Sequence, residues 1–151
     1  MTQTSGDQLE RLGALVGRWH TQGWTKEEAG RLPERIDAID TYEWLPGGAA
    51  LLHVVDATVG ETKVEGAEII GYDPDRGHYA TLYFGTDGPA AYEADFTESE
   101  STLVWEMRSA GSRFRGAFDA DGELITGQWE LLAEGSEWRP WMDIKLTKQA
   151  L

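Results

Sequence analysis

Two titratable side chains interrupt apolar, strand-like runs. His53 lies within Leu51-Leu52-His53-Val54-Val55, and Asp40 closes Ile36-Asp37-Ala38-Ile39-Asp40. An imidazole in such a run titrates near neutrality and can relay a proton or hold a ligand; the alternative is a hydrogen-bonded histidine at a rim or surface. In an extended chain Asp40 shares a side with Ala38, Tyr42 and Trp44. Facing inward, its carboxylate needs a partner, or else has a raised pKa and suits general acid–base work. If Ile39 points inward instead, Asp40 is solvated. Isoleucine occurs on both parities, so the register stays open.

Aromatic side chains form the second group. The chain holds 7 Trp among its 151 residues. Large rings fill barrel interiors and also make stacking walls for flat ligands. Trp19 is expected to plug a closed end. Trp44 shares a strand face with Tyr42, and Trp105 with Met107. Each of Tyr42, Trp44, Tyr92, Trp105, Met107 and Phe114 lies on the bulkier, less charged face of its segment, so all six are expected to line one lumen with His53. The competing reading is plain barrel core. Arg108, Arg113 and Arg115 cluster near one hairpin, where they pair an acidic ligand or balance neighbouring carboxylates.

Other chemistries lack their residues. With Cys 0 there is no disulfide, thiolate nucleophile or zinc–thiolate site, which fits a reducing cytoplasm. No His-x-His, zincin or calcium-loop spacing occurs, so no metal and no cofactor is expected. No nucleophile elbow, Walker loop or dinucleotide fingerprint is present. The net charge of −14 repels phosphate backbones and anionic membranes. Apolar runs are too short to span a bilayer, and the start has neither the basic nor the apolar region of a signal peptide.

The elements that must position these residues are mostly strands. Residues 1–6 read as a disordered polar tail and 7–151 as one domain. Asp7, with Glu10 three residues on, opens a helix over 7–16 whose Leu9, Leu12, Leu15 and Val16 share a face, and Gly17 ends it. Beyond Gly17, turn sequences such as Asp73-Pro74-Asp75-Arg76-Gly77 and Asp119-Ala120-Asp121-Gly122 punctuate segments of about ten residues. Alternation is clean in Tyr92, Ala94, Phe96 against Glu93, Asp95, Thr97. The pattern predicts an all-β fold, a single antiparallel up-and-down barrel of about nine or ten strands behind one short helix. The charged stretch from Lys26 to Arg35 reads as a long first loop, of the kind that forms lids.

The helix running into Leu15-Val16-Gly17-Arg18-Trp19, and the later Ile70-Gly71-Tyr72-Asp73-Pro74-Asp75-Arg76-Gly77-His78-Tyr79, resemble the lipocalin-like, or calycin, barrels. The likeness is to the small bacterial lipocalin-like domains of unknown function, which are similar to nitrobindins. It implies a lumen for an apolar or aromatic molecule. Haem-binding nitrobindins hold iron through a histidine on a late strand; here no His follows His78, so that ligand does not carry over.

These readings converge on binding of a small apolar or aromatic molecule in an aromatic-lined lumen, with no nucleic-acid or membrane partner and a homodimer left open. Two alternatives stand beside it. One is a cofactor-independent isomerase, cyclase or lyase using Asp40, His53, Tyr42 or Tyr92 as acid and base. The other is a non-catalytic interaction domain with a packed barrel.

Overall fold

The structure, a computed structural model, describes residues 5–28 and 30–150. Ten strands follow a short helix: β1 Gly17–Thr25, β2 Arg35–Trp44, β3 Leu51–Val59, β4 Thr62–Asp73 and β5 His78–Gly85 form the first half. The second half is β6 Gly88–Ser99, β7 Thr102–Arg108, β8 Ser112–Phe118, β9 Leu124–Leu132 and β10 Trp138–Gln149. Each pairs antiparallel with its neighbour in sequence, and β1 pairs with β10, so the sheet closes. Closure leaves no edge strand to protect.

The helix is shorter and differently built than the periodicity predicts. Helix α1 spans Ser5–Arg11 and tightens into a 3-10 turn over Leu12–Leu15. It begins two residues before Asp7, so Ser5 and Gly6 are helical; residues 1–4 of the expected tail lie outside the described residues. The tightening has local causes. Gly13 weakens the α-helix, Val16 N–H donates to Gly13 O at 3.1 Å, and Trp19 Nε1–H donates to Leu15 O at 2.8 Å. The fully buried Trp19 is thereby locked under the 3-10 turn.

Helix and ring close one end of the barrel. The Tyr79 hydroxyl donates to Gln8 O at 2.5 Å, and the Arg11 guanidinium lies 5.4 Å from the Phe96 ring centre. Beneath them Trp19, Tyr79, Phe96, Trp105 and Phe118 meet edge-on or tilted, at centroid distances of 4.6 to 6.4 Å. Met107 and Phe114 continue this core. Phe114 lies across two inward glycines: a Cβ on Gly127 would stand 2.5 Å from its ring, and one on Gly116 2.8 Å. Those positions need glycine because the ring occupies the space a side chain would take.

The opposite end is different. Val55, Val64, Gly66, Tyr83, Ala90 and Tyr92 have inward parity yet are only half-buried. In a closed barrel, solvent reaches inward side chains only through a mouth. Small residues recur there, and Tyr83 lies flat over Gly66, where an added Cβ would stand 2.5 Å from its hydroxyl. The 26–34 segment is anchored beside this mouth. Thr25 N–H donates to Glu34 O at 2.9 Å, Lys26 pairs with Asp143, and Glu28 pairs with Arg139. Arg35, assigned to the loop from sequence, is the first residue of β2.

Outside, Val54, Ile69, Leu82 and Phe84 are exposed on three adjacent strands, continuous through Ala67, Pro89 and Ala91.

Trp105 is 3% exposed and packed against Phe96 and Tyr79. Trp105→Ala is therefore expected to destabilise the fold by about 3–5 kcal/mol in chemical denaturation. A loss below about 1 kcal/mol would mean that the ring borders open space.

Candidate functional site

The register that the sequence left open is settled by pairing. Asp40 sits opposite Trp19 and Val55, on the inward face of β2, and Ile39 points outward. Its carboxylate is buried. Thr21 Oγ1 donates to Asp40 Oδ2 at 2.5 Å, and His53 Nε2 lies 2.7 Å from Asp40 Oδ1. The other ring nitrogen, Nδ1, lies 2.9 Å from Glu68 Oε1. His53 is thus a buried imidazole bridging two buried carboxylates, and the rim or surface alternative is overturned. β3 brings it there: alternation places Leu51, His53 and Ala57 inside, and His53 faces Glu68 directly across the β3–β4 ladder.

Burial alone would push the His53 pKa down; the hydrogen bonds and charges of Asp40 and Glu68 outweigh it and raise the pKa to about 9. Both ring nitrogens are then donors at neutral pH. The Tyr42 ring lies parallel to the imidazole, 4.0 Å away and 8° from coplanar, a face that favours a cation. Burial, with Asp40 and Glu68 adding to it, raises the Tyr42 pKa and keeps its phenol neutral.

The cluster continues around the wall. Thr81, on β5, is a diagonal neighbour of Glu68 across the ladder, and Tyr92 is its direct partner on β6. The Tyr92 hydroxyl accepts from Ser112 Oγ at 3.3 Å. Thr81 is 4% exposed, and its Oγ1 is the one buried side-chain polar atom without a partner among the described residues. An unpaired buried hydroxyl costs stability, so it invites an explanation. The inward polar side chains thus form a belt from Thr21 through Asp40, His53, Glu68 and Thr81 to Tyr92. Half-buried inward residues on β3 to β6 lie above it, and the apolar core lies below.

The seven residues singled out from sequence divide. His53, Tyr42 and Tyr92 belong to the belt. Phe114 lies under it, tilted against Trp129, whose edge also meets Tyr92. Trp105 and Met107 are buried in the core. Trp44 does not join them: it ends β2 at the rim of the helix-closed end, 38% exposed and outside the core, because the strand runs out there into the turn at 45–50. Two of the three clustered arginines balance carboxylates: Arg108 pairs with Asp95 at 2.6 Å, and Arg113 pairs with Glu130 at 2.8 Å beneath Trp138, while Arg115 makes no ion pair among the described residues.

Sequence reasoning missed Glu68, Thr21 and Thr81. Glu68 carried a usable signal, since Val64, Gly66, Ile70 and Tyr72 share its parity and make it a lone carboxylate on an apolar face. Threonine fits either face of a strand, so Thr21 and Thr81 carried none.

Comparison with known proteins agrees with this architecture. The family model of DUF1579, described as a protein of unknown function, matches residues 4–141. The chain belongs to this family. No curated protein matches it. Among solved structures, this DUF1579 barrel is similar to Rv2717c from M. tuberculosis, with a TM-score of 0.75 and 13% identity, over 95% of this chain and 98% of that one. It is also similar to the S-type phycobiliprotein lyase CPES from Guillardia theta, with a TM-score of 0.61 and 9% identity, over 99% of each chain. At such identities the likeness is one of fold.

The raised His53 pKa has a defined sign. A group more basic when folded stabilises fully below its unfolded pKa, near 6.5, and that contribution is lost as pH rises through about 9. The melting temperature is expected to fall across this window, and the fall to be absent in His53→Gln. An identical fall in His53→Gln would assign the effect to other groups.

Proposed function

We propose that this protein binds a small, largely apolar or aromatic molecule in the open half of its barrel. The ligand rests on the belt from Asp40 to Tyr92, with Phe114 beneath and Trp105 and Met107 supporting that floor. The observation that carries this reading is the pairing of a half-buried inward wall with a buried hydroxyl, Thr81 Oγ1, that has no partner among the described residues. Apolar walls with a few convergent polar groups are the usual build of a ligand site. A barrel of the same architecture serves a phycobiliprotein lyase, which fits a small-molecule site without naming the molecule. A reducing cytoplasm is the setting this reading assumes.

Catalysis by His53 is the weaker reading, for a geometric reason. Both ring nitrogens face carboxylate oxygens within 2.9 Å, leaving neither for a substrate. His53 is better suited to fixing the two carboxylates than to exchanging a proton with a bound molecule. Haem coordination in the nitrobindin manner is not proposed, since no His follows His78.

N-phenyl-1-naphthylamine, whose emission rises in apolar surroundings, tests the site. One molecule is expected to bind per chain. Ala90→Trp, which places a large ring at the mouth, is expected to weaken binding about tenfold or more, while Phe84→Ser on the outer patch leaves it unchanged. The reverse pattern would place the probe on the exterior and contradict the proposal.

A further inference from the structure

The polar belt carries information about ligand class, and this inference rests on the lumen reading above. His53 and its two carboxylates share two bridging protons. Written as imidazolium with two carboxylates, or as neutral imidazole with one carboxylate and one carboxylic acid, the trio carries a net charge of −1. That excess is buried: Asp40, His53 and Glu68 are 8%, 9% and 4% exposed. The cationic side chains with described partners pair with other carboxylates, Arg108 with Asp95, Arg113 with Glu130, Arg139 with Glu28 and Lys26 with Asp143. Arg108 and Arg113 border the belt, lining a pocket with Thr81 and Tyr92, and both are already paired there with carboxylates.

The unused valences point the same way. Both Asp40 oxygens are engaged, Oδ1 facing His53 and Oδ2 accepting from Thr21. Glu68 is not: Oε1 faces His53, and no side-chain hydrogen bond reaches Oε2 among the described residues. One step along the wall is the unpartnered Thr81 hydroxyl, a diagonal neighbour of Glu68 across the β4–β5 ladder. A carboxylate oxygen accepts only, while a hydroxyl both accepts and donates. Together they match a nitrogen bearing two or more hydrogens, one directed to each oxygen. An incoming carboxylate or phosphate would meet the −1 charge, and the arginines nearest the belt are already neutralised by Asp95 and Glu130.

We infer that the lumen selects apolar or aromatic molecules carrying an N–H donor, best a protonated amine, held between Glu68 Oε2 and Thr81 Oγ1. His53 contributes as a positioning residue. Bridged to Asp40 and stacked on Tyr42, it fixes the Glu68 carboxyl so that its second oxygen faces the ligand.

Calorimetric titration of the full chain at neutral pH, with three naphthalenes of similar size, tests this. The probes are 1-naphthylmethylamine, 1-methylnaphthalene and 1-naphthylacetate. The amine is expected to bind about tenfold or more tightly than 1-methylnaphthalene, and the acetate more weakly than either. A surface of −14 attracts any cation, so the preference must persist in about 0.5 M salt, where exposed charges are screened. Glu68→Gln is expected to abolish the amine's advantage and to keep the affinity for 1-methylnaphthalene. Thr81→Val, nearly isosteric, is expected to shrink that advantage and serves as the comparison should Glu68→Gln not fold. Equal affinities for the three probes overturn the inference and leave the lumen reading standing. An amine preference undiminished in either folded variant does the same. Failure of all three probes to bind overturns the lumen reading itself.

Discussion

An imidazole clamped between two carboxylates inside a closed sheet is the constraint around which the rest of this barrel is arranged. Burying three ionisable groups is expensive, and removing one partner from such a set typically costs about 3–5 kcal/mol. The fold therefore has to deliver β2, β3 and β4 in one register. A slip of one residue on β3 would turn His53 outward and leave Asp40 and Glu68 buried without a proton bridge. The Tyr42 ring on one face of the imidazole and the Thr21 hydroxyl on Asp40 restrict the cluster further. The same triad that endangers stability thus enforces strand alignment.

That cluster divides the interior into two unlike halves. On the helix side, Trp19, Tyr79, Phe96 and Phe118 pack as ordinary core, and the helix seals them through the Tyr79–Gln8 and Trp19–Leu15 hydrogen bonds. On the other side, small residues such as Gly66 and Ala90 alternate with larger inward ones, Val55, Val64, Tyr83 and Tyr92, that stay half-buried. The unsatisfied Thr81 hydroxyl lies in this wall, where the proposed ligand would sit. Stability is concentrated at the closed end, so the mouth can remain open without endangering the fold.

Much of this architecture was legible in the sequence because it rests on local signals. Turn residues at regular spacing, alternation in segments such as Tyr92 to Thr97, and the Gly17-Arg18-Trp19 start gave the barrel, its single helix and the meander order. The helix end was misjudged because the Gly13 effect depends on the tertiary bond from Trp19 to Leu15. The site was half legible. Asp40 and His53 stood out as polar groups in apolar runs, but they lie 13 residues apart in the chain, and Glu68 a further 15. Only the β2–β3–β4 ladder brings the three together. Trp44 shows the converse limit: parity assigns a face and says nothing of where a strand ends.

The protonation state of the His53 ring nitrogens, followed by 15N NMR as pH is raised, tests the central claim most directly. The account predicts two protonated nitrogens through neutrality, with loss of a proton only near 9. It also predicts a shift of these resonances when an amine-bearing aromatic occupies the lumen and rebalances Glu68. Titration near 6.5, as for a solvated imidazole, with no response to the amine, would contradict it.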